Sequence, residues 1–167
     1  SAVAKNNRKV TAPAVVYEDQ ETFVNDFKKG KLNKDFVAVI KFQGPKANGM
    51  PELHQLTPML SILQNQGYKV ALVTDGRMSG ASGKVPAAIH LSPEAFDGGP
   101  LSKIKNGDVV QLNAETGALN VKGTDEEMNK RMPAKMPILN EGCGRELFNV
   151  LRSSMSSSED GASIFKF

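Results

Sequence analysis

The sequence predicts a mixed α/β domain whose second half is richer in β-structure. Three observations carry this reading. Two nearly continuous apolar, β-branched runs, 36–42 (FVAVIKF) and 69–75 (KVALVTD), flank a segment with Leu53, Leu56, Leu60 and Leu63 at helical spacing. Each run is followed by a loop rich in glycine, so strand, loop, helix, strand and loop come in order, as in a parallel βαβ unit. Further on, Glu115-Thr116-Gly117 separates two short strand patterns, which gives an antiparallel hairpin.

The chain has 167 residues, 40% of them hydrophobic and 23% charged, in keeping with one soluble domain able to bury a core. No apolar run approaches the roughly 18 residues needed to cross a bilayer, and the polar start, SAVAKNNRKV, has no secretory signal pattern. No membrane partner is expected. A first residue of Ser rather than Met suggests a processed chain or a segment of a longer one. The net charge is only +3, the one dense basic cluster lies within 5–9, and Trp is absent. No basic and aromatic surface therefore points to nucleic acid. The single cysteine, Cys143, excludes an internal disulfide and any all-cysteine metal or cluster site within this chain, and fits a reducing, cytoplasmic setting. Cys143 itself reads as a small residue near the start of the last helix.

In chain order, 1–12 reads as a flexible lead-in, 13–155 as the folded domain and 156–167 as a tail. Residues 14–17 form a short strand. Residues 18–29 carry Phe23, Val24 and Phe27 on one helical face, and Gly30 ends that helix. The run 36–42 is a buried strand, and 43–50 a loop. Pro51 is placed to open the next helix, Pro58 to kink it and Gly67 to stop it. The run 69–75 is the second buried strand and 76–83 its Gly/Ser loop. Strands 109–113 and 118–122 make the hairpin. Helices follow at 125–132 and 145–155, the last using Leu147, Val150 and Leu151. No internal repeat is found.

Two loops could carry chemistry, and both leave the C-terminal ends of strands, where open α/β sheets place ligands. In GPKANGMPE (44–52), Glu52 falls in an expected first helical turn, where the dipole favours a carboxylate, so it reads either as a helix-start residue or as a functional acid. TDGRMSGASGK (74–84) gathers Thr74, Asp75, Arg77, Ser79, Ser82 and Lys84 around three glycines. Its backbone N–H groups could converge on an anion with Arg and Lys completing the charge, or the loop could be a plain turn. It is neither a Walker A loop nor a nucleophile elbow, because the required Gly and Ser positions are not met. His54 and His90 read as structural residues, and no metal-ligand spacing is present.

The runs FQGPKANGMPELHQLTP, VALVTDGRMSGASGKVPAAIHLSPEA and GGPLSKIKNGDVV, in this order, resemble the dihydroxy-acid/6-phosphogluconate dehydratase family over nearly the whole chain. ANGMPEL and SGASGKVP resemble its phosphogluconate branch. The resemblance implies a swivelling β/β/α domain with a mixed, barrel-like sheet and flanking helices, the C-terminal part of a hydro-lyase. It implies dehydration of 6-phospho-D-gluconate to 2-dehydro-3-deoxy-6-phosphogluconate in the Entner–Doudoroff route, with a 4Fe-4S cluster and magnesium. The cluster ligands would come from an N-terminal domain of the same enzyme, and a homodimer is the expected assembly. By the same resemblance Ser79 is the base and Glu52 a magnesium ligand. Thr74, Asp75, Arg77, Ser82 and Lys84 are the substrate-binding groups, with Arg77 and Lys84 the candidates for carboxylate or phosphate. This domain alone is expected to be inactive. The other expectations are a dihydroxy-acid or sugar-acid dehydratase domain, and a non-enzymatic module for small anions.

Overall fold

The computed structural model describes residues 2–79, 83–137, 142 and 144–165. Its centre is a curled six-stranded sheet that forms a half-barrel. The strands are β1 (Lys9–Tyr17), β2 (Phe36–Ile40), β3 (Val70–Thr74), β4 (Ala87–Ala88), β5 (Val109–Asn113) and β6 (Ala118–Val121), in the spatial order β4-β3-β2-β1-β5-β6. The pairs β1–β2, β2–β3 and β3–β4 are parallel, while β1–β5 and β5–β6 are antiparallel.

Burial on both faces explains the unbroken apolarity of β2 and β3. Side chains alternate between faces. Val37, Val39, Ala71 and Val73 enter one core, while Phe36, Ala38, Ile40, Val70 and Leu72 enter the other. Helices α1 (Gln20–Lys28) and α3 (Leu56–Asn65) cover the second core with Phe23, Leu56, Leu60 and Leu63. Asp19 caps α1 by accepting Thr22 N at 2.6 Å. The first core is closed by strand β5 through Val110 and Leu112, together with Ala95, Leu101 and Ile104.

Several boundaries differ from the sequence reading. Strand β1 starts at Lys9, so the last third of the expected lead-in belongs to the sheet. Its first part, Lys9–Pro13, pairs with β5, and the parallel pairing with β2 begins at Ala14. The first part alternates exposed and buried, with Val10 and Ala12 in the core, and lacks the continuous apolar signature. The expected loop 43–50 contains a one-turn helix, α2 (Pro45–Asn48). Helix α3 starts at Leu56 rather than Pro51, and Pro58 lies in its first turn, where no intrahelical donor is lost. Another one-turn helix, α4 (Pro100–Lys103), follows the Gly98-Gly99 turn. Helix α5 (Asp125–Lys130) opens with a Thr124–Glu127 capping box. The last helix, α6, covers only Asn149–Ser153, and the apolar face expected to be buried is open: Leu147 is 76% and Val150 70% exposed.

Candidate functional site

Because β2 and β3 are parallel neighbours, their C-terminal ends release the two motif loops side by side. Beyond those ends the loops join again. Glu52 and Arg77 form an isolated parallel bridge, and Leu53 N donates to Arg77 O at 2.9 Å. This extended pairing displaces the start of α3 and corrects the expectation that Glu52 sits in a first helical turn. Its carboxylate instead faces a guanidinium: Arg77 Nη1 lies 3.3 Å from Glu52 Oε2, and Arg77 Nε donates to Met50 O at 3.1 Å. Both side chains remain partly open to solvent, at 38% and 47% exposure.

Asp75 underlies this arrangement. It is 0% exposed, and its two oxygens accept Gln43 N and Ala95 N, each at 2.9 Å. One carboxylate thus ties together the segments following β2, β3 and β4. Burial pushes its carboxyl above the usual range, and the backbone donors oppose that shift. Thr74 is also fully buried, and its Oγ1 accepts Gly76 N at 3.0 Å. Thr74 and Asp75, both expected to bind substrate, are buried and hydrogen-bonded to the loop backbone.

Glu94 is a second buried carboxylate, with Oε1 accepting Lys46 N and Oε2 accepting Ala47 N, both at 3.0 Å. It holds the start of α2 against the segment after β4. Burial raises its pKa first of all, and neighbouring Asp75 and Asp97 raise it further. Two glycines permit this close packing. A Cβ on Gly44 would lie 2.4 Å from Glu94 Oε2, and one on Gly76 would lie 2.7 Å from Gln43 Cβ. Phe42, Met50 and His90, all non-glycine, hold φ values of 59°, 56° and 59° at the ends of these same segments. Such conformations persist only where the surroundings over-determine them, and they concentrate at functional sites.

Of the other expected residues, Ser79 is half-buried two positions beyond Arg77, at the described end of the loop. Lys84 is exposed, and its carbonyl accepts Gln64 Nε2 at 3.2 Å. Ser82, like Cys143, lies outside the described residues. His54 is off the helix, with Nδ1 at 3.3 Å from Glu52 O, and His90 N donates to Gly76 O at 2.9 Å. The sequence reading passed over Gln43, Glu94 and Lys41. Gln43 N meets Asp75, and its Nε2 donates to Glu18 O at 2.7 Å. Lys41 is buried and donates to Ser102 O and Ile104 O at 3.0 and 2.6 Å. No short-range spacing announces these contacts, which span tens of residues.

Chemically, the site presents a carboxylate, a guanidinium and a hydroxyl at the C-terminal ends of parallel strands. Among the described residues no three of His, Cys, Asp and Glu gather as a metal site. Glu52, paired with Arg77, presents a partly exposed carboxylate at this site. The lone cysteine cannot hold an iron–sulfur cluster.

Fold and site together define an α/β domain that carries a polar candidate site on paired strand-end loops. The chain belongs to the dihydroxy-acid/6-phosphogluconate dehydratase C-terminal family, whose model matches residues 1–162. It is 55% identical to a phosphogluconate dehydratase of Pseudomonas aeruginosa over 166 residues, covering 99% of this chain and 27% of that protein. The phosphogluconate dehydratase of Escherichia coli K12 is 49% identical over 170 residues, covering 100% of this chain and 28% of that protein. A dihydroxy-acid dehydratase of Ruminiclostridium cellulolyticum is 38% identical over 133 residues, covering 78% of this chain and 24% of that protein. The chain thus spans little more than a quarter of the length of these phosphogluconate dehydratases.

Proposed function

We propose that this chain is the C-terminal domain of a 6-phosphogluconate dehydratase. Joined to the rest of the enzyme, it takes part in converting 6-phospho-D-gluconate to 2-dehydro-3-deoxy-6-phosphogluconate and water, in the Entner–Doudoroff route. The observation that carries the reading is the match at about half identity to phosphogluconate dehydratases over nearly all of this chain, against a shorter, weaker match to a dihydroxy-acid dehydratase.

In this reading Ser79 Oγ takes the C2 proton. The C3–O bond then breaks, the hydroxyl leaves as water on gaining a proton, and the resulting enol becomes the 2-keto acid. A serine hydroxyl is almost fully protonated near neutral pH, so it needs adjacent positive charge to act as a base. Arg77, two residues earlier, is the cation this chain supplies. Glu52 would hold magnesium, which when bound polarises the substrate carboxylate and C2 hydroxyl and makes the C2 proton more acidic. The pairing of Glu52 with Arg77 sets the carboxylate's position before metal arrives. Arg77 and Lys84 are the cations proposed to meet the substrate carboxylate. An iron–sulfur cluster, whose ligands this chain does not contain, belongs in this reading to the N-terminal domain of the same enzyme. The open apolar side chains Leu147 and Val150, in a chain a quarter the length of its relatives, support a surface that meets that domain. A homodimeric enzyme in the cytoplasm completes the proposal. No described helix is long and apolar enough to cross a membrane.

In the full-length enzyme, Ser79→Ala and Glu52→Gln should each lower turnover of 6-phosphogluconate by about 10²–10⁴-fold, with iron content unchanged. Near-normal turnover in either variant would remove that residue's role. A wild-type enzyme that turns over dihydroxy acids and ignores 6-phosphogluconate would overturn the substrate.

A further inference from the structure

Helix α6 packs against α2, the one-turn helix on the loop that leads to Glu52. Two arginines lie at this junction, and neither takes part in the chemistry above. Arg145 is half-buried, and it donates through Nη1 to Asn48 Oδ1 at 3.1 Å and through Nη2 to Ala47 O at 3.0 Å. Arg152, also half-buried, donates through Nη2 to Arg145 O at 2.8 Å. The chain of contacts continues inward: Asn48 Nδ2 donates to Gln43 Oε1 at 3.2 Å, and Gln43 N is held by Asp75. The Arg145 fork is therefore fixed relative to the strand ends that position Glu52 and Arg77.

The two arginines are neighbours through the Arg145 backbone carbonyl. Arg145 has its pKa lowered, first by burial and then by the charge of Arg152. The carboxylate facing them is Glu146, which accepts Gly142 N at 2.6 Å and whose pKa is lowered by backbone donors first and then by both arginines. Lys46, also on α2, is already paired with Asp97 at 2.6 Å. Among the described residues, one carboxylate serves the two arginines at this junction. A guanidinium carries five N–H donors; the described residues engage two on Arg145 and one on Arg152. The remaining N–H donors are of the chemical kind that grips a phosphate through paired hydrogen bonds.

Location fits as well as charge. Asn48 and Glu52 are four positions apart, so their Cα atoms lie within about 14 Å of each other. That is the scale of an extended six-carbon acid phosphorylated at its far end. We propose that Arg145 and Arg152 form the subsite for the phosphate monoester of the substrate, opposite the carboxylate end held near Glu52 and Arg77. The assignment rests on the proposed function and deepens it, since this contact would separate a phosphorylated sugar acid from an unphosphorylated one.

The test uses full-length enzyme carrying Arg152→Gln or Arg145→Lys. KM for 6-phosphogluconate should rise about 10- to 100-fold with kcat within about threefold of wild type, and inhibition by inorganic phosphate should weaken by a similar factor. The preference for 6-phosphogluconate over gluconate, as a ratio of kcat/KM, should fall by the same factor. Unchanged KM and phosphate inhibition in both variants would overturn the subsite. So would an equal loss for both substrates, which marks a merely structural role. If the wild-type enzyme does not turn over 6-phosphogluconate, the proposed function is what fails. Equilibrium dialysis with inorganic phosphate still reads the subsite: weaker binding by Arg152→Gln supports it, and equal binding overturns it.

Discussion

Asp75 shows how much of the site depends on one buried side chain. Its carboxylate is out of solvent, yet it faces two backbone N–H groups and no cation within the hydrogen-bonded set. The arrangement substitutes fixed peptide donors for water and holds three loop segments at once. Truncation would leave both donors buried and unpaired, at about 1–3 kcal/mol each. Asp75→Ala should accordingly lower the unfolding free energy of this chain by about 2–4 kcal/mol, read by urea denaturation. A loss under about 0.5 kcal/mol, the range of an ordinary surface substitution, would show that the loops are held by other contacts. Asp75 stood inside a legible motif, but its task did not follow from the motif. Its partners, Gln43 and Ala95, come from different loops and carry no mark of pairing in the sequence. Glu94 is similar: it lies 48 positions from the backbone N–H of Lys46 that it accepts.

Among the elements, the two buried strands were legible because double-sided burial requires an uninterrupted apolar run. Their flanking loops were legible because glycine and proline punctuate them. The starts of β1 and α3 were not. Alternation in Lys9–Ala12 is the pattern of a half-buried strand, easily taken for a polar lead-in when short. Pro51 favours a helix start locally, but the bridge between Glu52 and Arg77 holds that stretch extended. Helix α2 depends on the Glu94 carboxylate at its N-terminus, and Gly44 leaves the room for it. Gly44→Ala should displace that carboxylate and cost about 1–3 kcal/mol by overpacking, visible as a lower urea midpoint. Unchanged stability would mean that Glu94 can hold α2 from another position.

At the scale of the molecule, the β5–β6 hairpin joins the sheet through β1, and Asp108 and Arg131 tie the end of α5 to the start of that hairpin. The pair is bidentate, with Arg131 Nη2 donating to Asp108 Oδ1 at 3.0 Å and Nη1 to Oδ2, while Asp108 Oδ2 also accepts Lys105 N at 2.8 Å. The hydrogen bond from Arg131 is the main reason the Asp108 carboxyl lies below its ordinary 3.8. A depressed folded-state pKa means that the unfolded chain takes up the proton first. The pair's contribution is therefore present above pH 3.8 and is lost as the pH falls through the lower folded value. The stability difference between wild type and Asp108→Asn should be largest near neutral pH and shrink below about pH 4. A difference that stays constant across that window in urea titrations would contradict the role given to ionised Asp108.

The sequence by itself determined the α/β class, the parallel βαβ order, the hairpin and the two loops that carry the candidate site. These follow from apolar periodicity and from the backbone demands of glycine and proline, which act over a few residues. It also limited the chemistry, since one cysteine cannot hold a cluster. Only the tertiary structure decided that Glu52 pairs with Arg77, that Thr74 and Asp75 face inward, and that Arg145 reaches the loop before Glu52. Those contacts join segments tens of residues apart. Their geometry is set by how the sheet curls and which loops it brings together, and no local rule of spacing contains that information.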